Sequence, residues 1–282
     1  MTERPGPEDV PPSDPAGRGS QDDRRAVPAD ANAAPAAPLP RDAGSWAAKI
    51  DRLPVASGDS PGRNVAGRRL TGPVQGFGKM WRKTYWINVS ANISPQTVIT
   101  EWKKHFGEFW PAGNRFKGPL TGLGPGDVAL LDVSVGGGVR LSTGVFVLYA
   151  DEESFTLMTP EGHMFAGWIT FSAERAGGAS ALGASPGAST VIQTQVLMRA
   201  NDPLYELAMS LGGHRKEDQF WVQTMTALAR YLGALPATVH TRTVCIDRRR
   251  QWGNFGSIWH NSMVRSMLHS TTAVTQRRQR EK

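Results

Sequence analysis

Residues 201–233, NDPLYELAMSLGGHRKEDQFWVQTMTALARYLG, decide how the rest of the chain is read. Asp202 can cap a helix N-terminus, and Pro203 falls at the first helical position, where its missing N–H would have had no intrahelical partner. Leu204, Leu207, Ala208 and Leu211 recur at intervals of three and four, as do Trp221, Met225, Leu228 and Leu232, so each set makes one apolar face. Gly233 is the stop signal, with Pro236 just beyond. Gly212 and Gly213 interrupt the pattern at about 1 kcal/mol each relative to alanine, which predicts a kink or a close approach of backbone to another element. A long helix with such a stripe needs a sheet to bury it, and the preceding chain supplies one.

In residues 81–90, Trp81, Tyr85, Ile87 and Val89 alternate with Arg82, Thr84, Asn88 and Ser90, the period of a half-buried strand. Ser94 and Pro95 open a helix whose stripe is Val98, Ile99, Trp102, Phe106, Phe109 and Trp110. Residues 111–126 are punctuated by Gly and Pro and predict a link with a short helical turn at most. Strands follow over 127–135, 139–150, 154–159, 164–174 and 189–199. The connections are GGG, DEE, PEGH and the low-complexity loop 176–188, and the short ones make neighbours in sequence neighbours in an antiparallel sheet. With the first strand this makes about six. Residues 238–247 alternate as an extra edge strand, and Ile258, Trp259, Met263, Met267 and Leu268 fall at roughly helical intervals after it.

Both ends differ from this core. Eleven of the twenty prolines precede residue 62, where Trp46 is the only aromatic, so residues 1–72 are expected to form a disordered leader. Within it, residues 44–53 could make a short helix with Trp46, Ile50 and Leu53 on one side, read first as a transient turn in a disordered tail and otherwise as a docking peptide for this or another protein. The net charge of +7 belongs to the other end: from His240 on there are nine Arg or Lys against two acids, and the first 239 residues balance at 23 against 23. The organisation expected is a leader to residue 72, a domain over 73–236 and a basic, partly helical extension over 237–282. Cys245 stands alone, which excludes an intramolecular disulfide and a cysteine metal cluster. No apolar run reaches membrane-spanning length and the N-terminus is not a signal peptide, so the chain reads as soluble and cytoplasmic.

The order strand, amphipathic helix, Gly/Pro link, antiparallel strands and long last helix resembles the START and Bet v 1-like superfamily, also called SRPBCC, over about residues 77–235. GEFWPAGNRFKGPLTGLGPGDVALLDV, DEESFTLMTPEGHMFAGWITFS and DPLYELAMSLGGHRKEDQFW are similar to strings in bacterial members that have no assigned activity. The resemblance implies an α+β, helix-grip fold: a curved antiparallel sheet wrapped on the long C-terminal helix around a hydrophobic cavity. It implies a hydrophobic small molecule or lipid as guest, and no family active site carries over.

Trp102, Phe106, Phe146, Trp168, Trp221 and Met225 are the candidates for lining such a cavity, with Phe171 beside them. His163, in PEGH, and His214 are the candidates for its polar or acid–base positions. His214, Glu217 and Asp218 share one side of the helix, so a carboxylate could orient the histidine as a general base, and the alternative is a solvated charge cluster with Arg215 and Lys216. HExxH, a Gly-rich phosphate loop ahead of a helix, and GxSxG are all absent, so no metal or cofactor is expected. Cys245 reads as a small apolar residue. The expected function is binding of a hydrophobic molecule or lipid. The alternatives are a cyclase- or hydrolase-like enzyme using His163 or His214, and an interaction protein whose basic end, Arg248 to Lys282, meets an anionic membrane or nucleic acid.

Overall fold

The computed structural model describes residues 43–54, 64–90, 92–136, 139–176, 189–234 and 236–265, all inside one compact unit spanning 32–282. Most of the expected leader, the 176–188 loop after Ala176 and the end of the basic tail lie outside these residues. The strands are β1 (Leu70–Thr71), β2 (Met80–Ser90), β3 (Arg115–Lys117), β4 (Val128–Gly136), β5 (Val139–Ala150), β6 (Ser154–Pro160), β7 (Phe165–Arg175), β8 (Ser189–Ala200) and β9 (His240–Asp247). Every pairing is antiparallel, and the sheet order is β3-β4-β5-β6-β7-β8-β2-β9 with β1 against β6. Among the described residues the sheet therefore has nine strands, where about six and an extra edge strand are expected. β1 and β3 are two and three residues long, too short for alternation to register. β3 lies within the Gly/Pro link, where Arg115, Phe116 and Lys117 pair with Asp132, Leu131 and Leu130.

Two helical segments lie on one face of this sheet. In α1 (Pro95–Lys104) the Ser94 hydroxyl accepts from the Thr97 N–H at 3.0 Å. Its aromatic stripe does not continue as α-helix to Trp110. His105 caps the helix, and Phe106–Phe109 turns as a 3-10 helix that still buries Phe106 and Phe109. The second segment is likewise divided. Asp202 Oδ1 accepts from the N–H groups of Leu204 and Tyr205 at the start of α2 (Pro203–Ala208). The backbone then widens over Met209–Gly213, with Gly212 at φ 113°, before α3 (His214–Tyr231). Because the two helices have separate axes, Leu207 and Leu211 are exposed, and Tyr205 and Met209 take the buried side instead.

Strand alternation divides the core in two. Leu141, Val145 and Val147 of β5 join Tyr85, Ile87, Phe155, Phe171 and Ile192 beneath Trp102 of α1 and Met225 and Leu228 of α3. This sheet gripping the long helix α3 is the helix-grip arrangement. Phe146 points the other way, into a second cluster with Leu53 and Val65. Residues 46–53 and 64–70 cover that outer face: the Ala47 N–H donates to the Leu148 carbonyl at 2.9 Å, and Trp46 stands edge-on to Tyr149. Composition hid this docking because a few well-placed apolar side chains suffice to cover a patch of sheet. The boundary at 236 is crossed too. β9 pairs with β2, and buried Arg199 donates to Asp247 Oδ2 (2.6 Å) and to the carbonyls of Gly78 and Arg249.

Candidate functional site

Between the inner face of the sheet and the divided helix lies a cavity of about 730 Å³. Leu131, Val145, Leu157 and Val196 from the strands face Phe106, Phe220 and Trp221 across it. The Gly212–Gly213 bend lies on its rim, where the sequence places a kink.

Four of the eight expected site residues border this space: Phe106, His163, Trp168 and Trp221. The Trp168 ring itself lies near Gly72. Trp102 is packed behind the wall against Phe155 and Phe171, with ring centroids 6.0 and 5.0 Å away, and Met225 is in the solid core. Phe146 belongs to the opposite face of the sheet. His214 is off the wall, its ring 4.8 Å from Trp81 and edge-on to it.

Neither histidine is built as a general base for neutral pH. Burial lowers His163 to about 4, and its Nδ1 lies 3.0 Å from the Phe165 backbone nitrogen and 3.2 Å from the Phe165 carbonyl oxygen. Burial, then the charge of Lys83, lowers His214 to about 4, and its Nδ1 has no partner among the described protein atoms. The carboxylates expected to orient His214 turn instead to Lys83, which is fully buried on β2. Its ammonium donates to Asp218 Oδ1 at 2.8 Å and to the His214 carbonyl at 3.2 Å, and lies 2.9 Å from Glu217 Oε2. The Tyr85 hydroxyl donates to the same Asp218 oxygen at 2.6 Å.

Glu217 is a carboxyl of the wall, which also carries His163, Tyr205 and Lys216. Its oxygens are shut off from solvent and Oε1 meets no donor among the described protein atoms. Burial pushes its carboxyl up to about 7 against the opposing pull of Lys83. A carboxyl in that range can hold or release a proton near neutrality, the property the histidines lack. Trp110 adds a buried indole N–H without a partner among described atoms. Lys83 is the residue sequence reasoning passed over, and the signal was present: it has the parity of Trp81 and Tyr85, which puts it on the buried face of the strand. Among the described residues no group of three His, Cys, Asp or Glu is placed to hold a metal ion, and no helix is long and apolar enough to cross a membrane.

Similarity to solved structures is low. A protein from Nitrosomonas europaea is 13% identical, with 53% of this chain and 94% of that one covered and a TM-score of 0.34. Ginseng major latex-like protein 151 from Panax ginseng is 11% identical, with 56% and 100% covered and a TM-score of 0.34. The di-domain ARO/CYC StfQ from the steffimycin biosynthetic pathway is 10% identical, with 55% and 53% covered and a TM-score of 0.37. No protein-family model and no curated protein matches the chain.

Proposed function

We propose that the protein binds a hydrophobic small molecule or lipid inside the cavity between sheet and helix. One observation carries the reading: about 730 Å³ of space bounded mainly by aliphatic and aromatic side chains, within the range of sites that enclose small molecules. A filled helix-grip core would have closed this volume with side chains. The few polar groups of the wall, among them Asn114, Gln219 and Gln223, would set the orientation of the guest.

The test is native mass spectrometry of gently purified protein with organic extraction of what it carries, together with titration by the fluorescent probe anilinonaphthalenesulfonate. Leu131→Trp and Val145→Trp fill the space from the strand side. Loss of adduct and probe response in these variants, with circular dichroism unchanged, is the expected result. Probe response that survives filling, or a wild type that neither carries a guest nor responds to the probe, overturns the reading.

A further inference from the structure

The 3-10 helix Trp252–His260 buries none of its nine residues, although four of them are large and apolar. Trp252 is 69% exposed, Phe255 50% and Trp259 82%, and Val74 beside them is 70% exposed. Three residues per turn place Trp252, Phe255 and Ile258 in one row, with Trp259 next to it. Such a row in water is costly and calls for a partner.

The exposure does not come from a loose end. The Gln251 N–H donates to the Phe77 carbonyl at 2.7 Å, and Asn254 Nδ2 donates to the carbonyls of Val74 and Gly76 at 3.1 Å. Past the helix, Arg68 Nη1 meets His260 Nδ1 at 2.9 Å, buried Asn261 donates to Asp202 Oδ2 at 2.7 Å, and the Ser262 N–H donates to the Gly162 carbonyl at 3.0 Å. Phe77 is buried beneath Trp252 and Phe255, with centroids 5.3 and 6.2 Å away. A pinned backbone therefore holds the aromatic rings outward.

Charge selects the partner. Residues 248–265 contain four arginines and no carboxylate. Arg248 and Arg249 are exposed immediately before the helix, with Arg249 Nε 3.2 Å from Asp247 Oδ1, and Arg250 reaches Glu206 at 3.1 Å. A second copy of so cationic a surface would be repelled by it. A single-stranded nucleic acid would want a basic groove with rings along its floor, and a ring 82% exposed stands outside any groove. Indole and phenyl rings beside arginines match the boundary between anionic headgroups and acyl chains.

We propose that the aromatic row of residues 252–259, with Arg248 and Arg249, seats the protein on an anionic lipid surface. The inference stands independently of what the cavity holds.

The test is co-sedimentation of the full chain with phosphatidylcholine vesicles and with vesicles of phosphatidylcholine and phosphatidylglycerol at physiological salt. Binding to the anionic vesicles, little binding to the neutral ones, and a loss of about tenfold or more in Trp252→Ala/Trp259→Ala are expected. That variant leaves the charge unchanged, so the loss separates ring insertion from attraction by the rest of the basic chain. Arg248→Glu/Arg249→Glu is expected to weaken binding as well. Trp259→Ala alone, at a site 82% exposed, supplies the same readout if the double variant does not fold. Equal vesicle binding with and without the rings overturns the proposal, as does no binding to anionic vesicles. So does a ring-dependent self-association or oligonucleotide complex in place of vesicle binding.

Discussion

Lys83 Nζ lies 2.9 Å from Glu217 Oε2 at the wall of the cavity, and the lysine side chain is wholly closed to solvent. The same ammonium bonds Asp218, so one cation serves two adjacent carboxyls of α3. Burying such a group is expensive, and removing one member strands the others. Lys83→Met is therefore expected to destabilise the fold by about 3 kcal/mol. Adding Glu217→Gln is expected to recover part of that loss, and a double-mutant cycle by urea unfolding measures the coupling.

The pH dependence of stability separates Glu217 from His163. The folded pKa of Glu217 is raised from 4.5 to about 7, so the folded state binds more protons there than the unfolded chain between those values. Its contribution is fully present below pH 4.5 and is lost as pH rises through about 7. Glu217→Gln should remove this loss, worth at most about 3 kcal/mol. Urea unfolding at several pH values between those limits checks it.

His163 runs in the opposite sense. Its folded pKa is lowered from 6.5 to about 4, so its contribution is complete above pH 6.5 and is lost as pH falls to about 4. Glu217 and His163 offset each other where their windows overlap, and His214, also lowered to about 4, adds to the side of His163. His163→Gln is expected to be less sensitive to acid than the wild type over that window in thermal melts.

The proline-rich N-terminal region contributes to stability through residue 53. Leu53 is buried with Val65 and Phe146 on the outer face of the sheet, so Leu53→Ala is expected to cost about 3 kcal/mol. Leu120 is fully exposed, and Leu120→Ala should change stability by less than about 0.5 kcal/mol. Denaturant midpoints of the two variants decide whether the docked segment belongs to the cooperative unit.

Two glycines with positive φ should respond differently to alanine. At Gly162, φ 84°, an added Cβ would overlap the His260 carbonyl oxygen and push the C-terminal segment off the loop. Gly212, φ 113°, has nothing within 4 Å of such a Cβ, so only backbone strain of about 1–3 kcal/mol opposes the change. Gly162→Ala is expected to lose hydrogen-exchange protection at the Ser262 amide, and Gly212→Ala to keep it.

Much of the fold was legible because strand and helix periods are local. Alternation placed β2 and β4 to β8 within one or two residues, and Asp202–Pro203 marked the start of α2. The site was legible in part. Phe106 and Trp221 reach the wall from the stripes that announced them, but Phe146 has the wrong strand parity relative to Val145 and Val147. Lys83 had the right parity and was passed over because a lysine on a buried face has no reading until its partners are known.

Those partners are what only the tertiary structure decided. Lys83 and Asp218 stand 135 residues apart in sequence, and the curvature of the sheet under α3 brings them within 2.8 Å. The same packing buried His163 as a neutral ring, set Trp252 and Trp259 outward, and drew Leu53 onto the back of the sheet. The sequence by itself determined the periods of its strands and helices and the order in which they follow, because dihedral preference and side-chain direction act between near neighbours. Which groups share a low-dielectric interior depends on contacts closed across long loops, and those are settled only when the chain has folded.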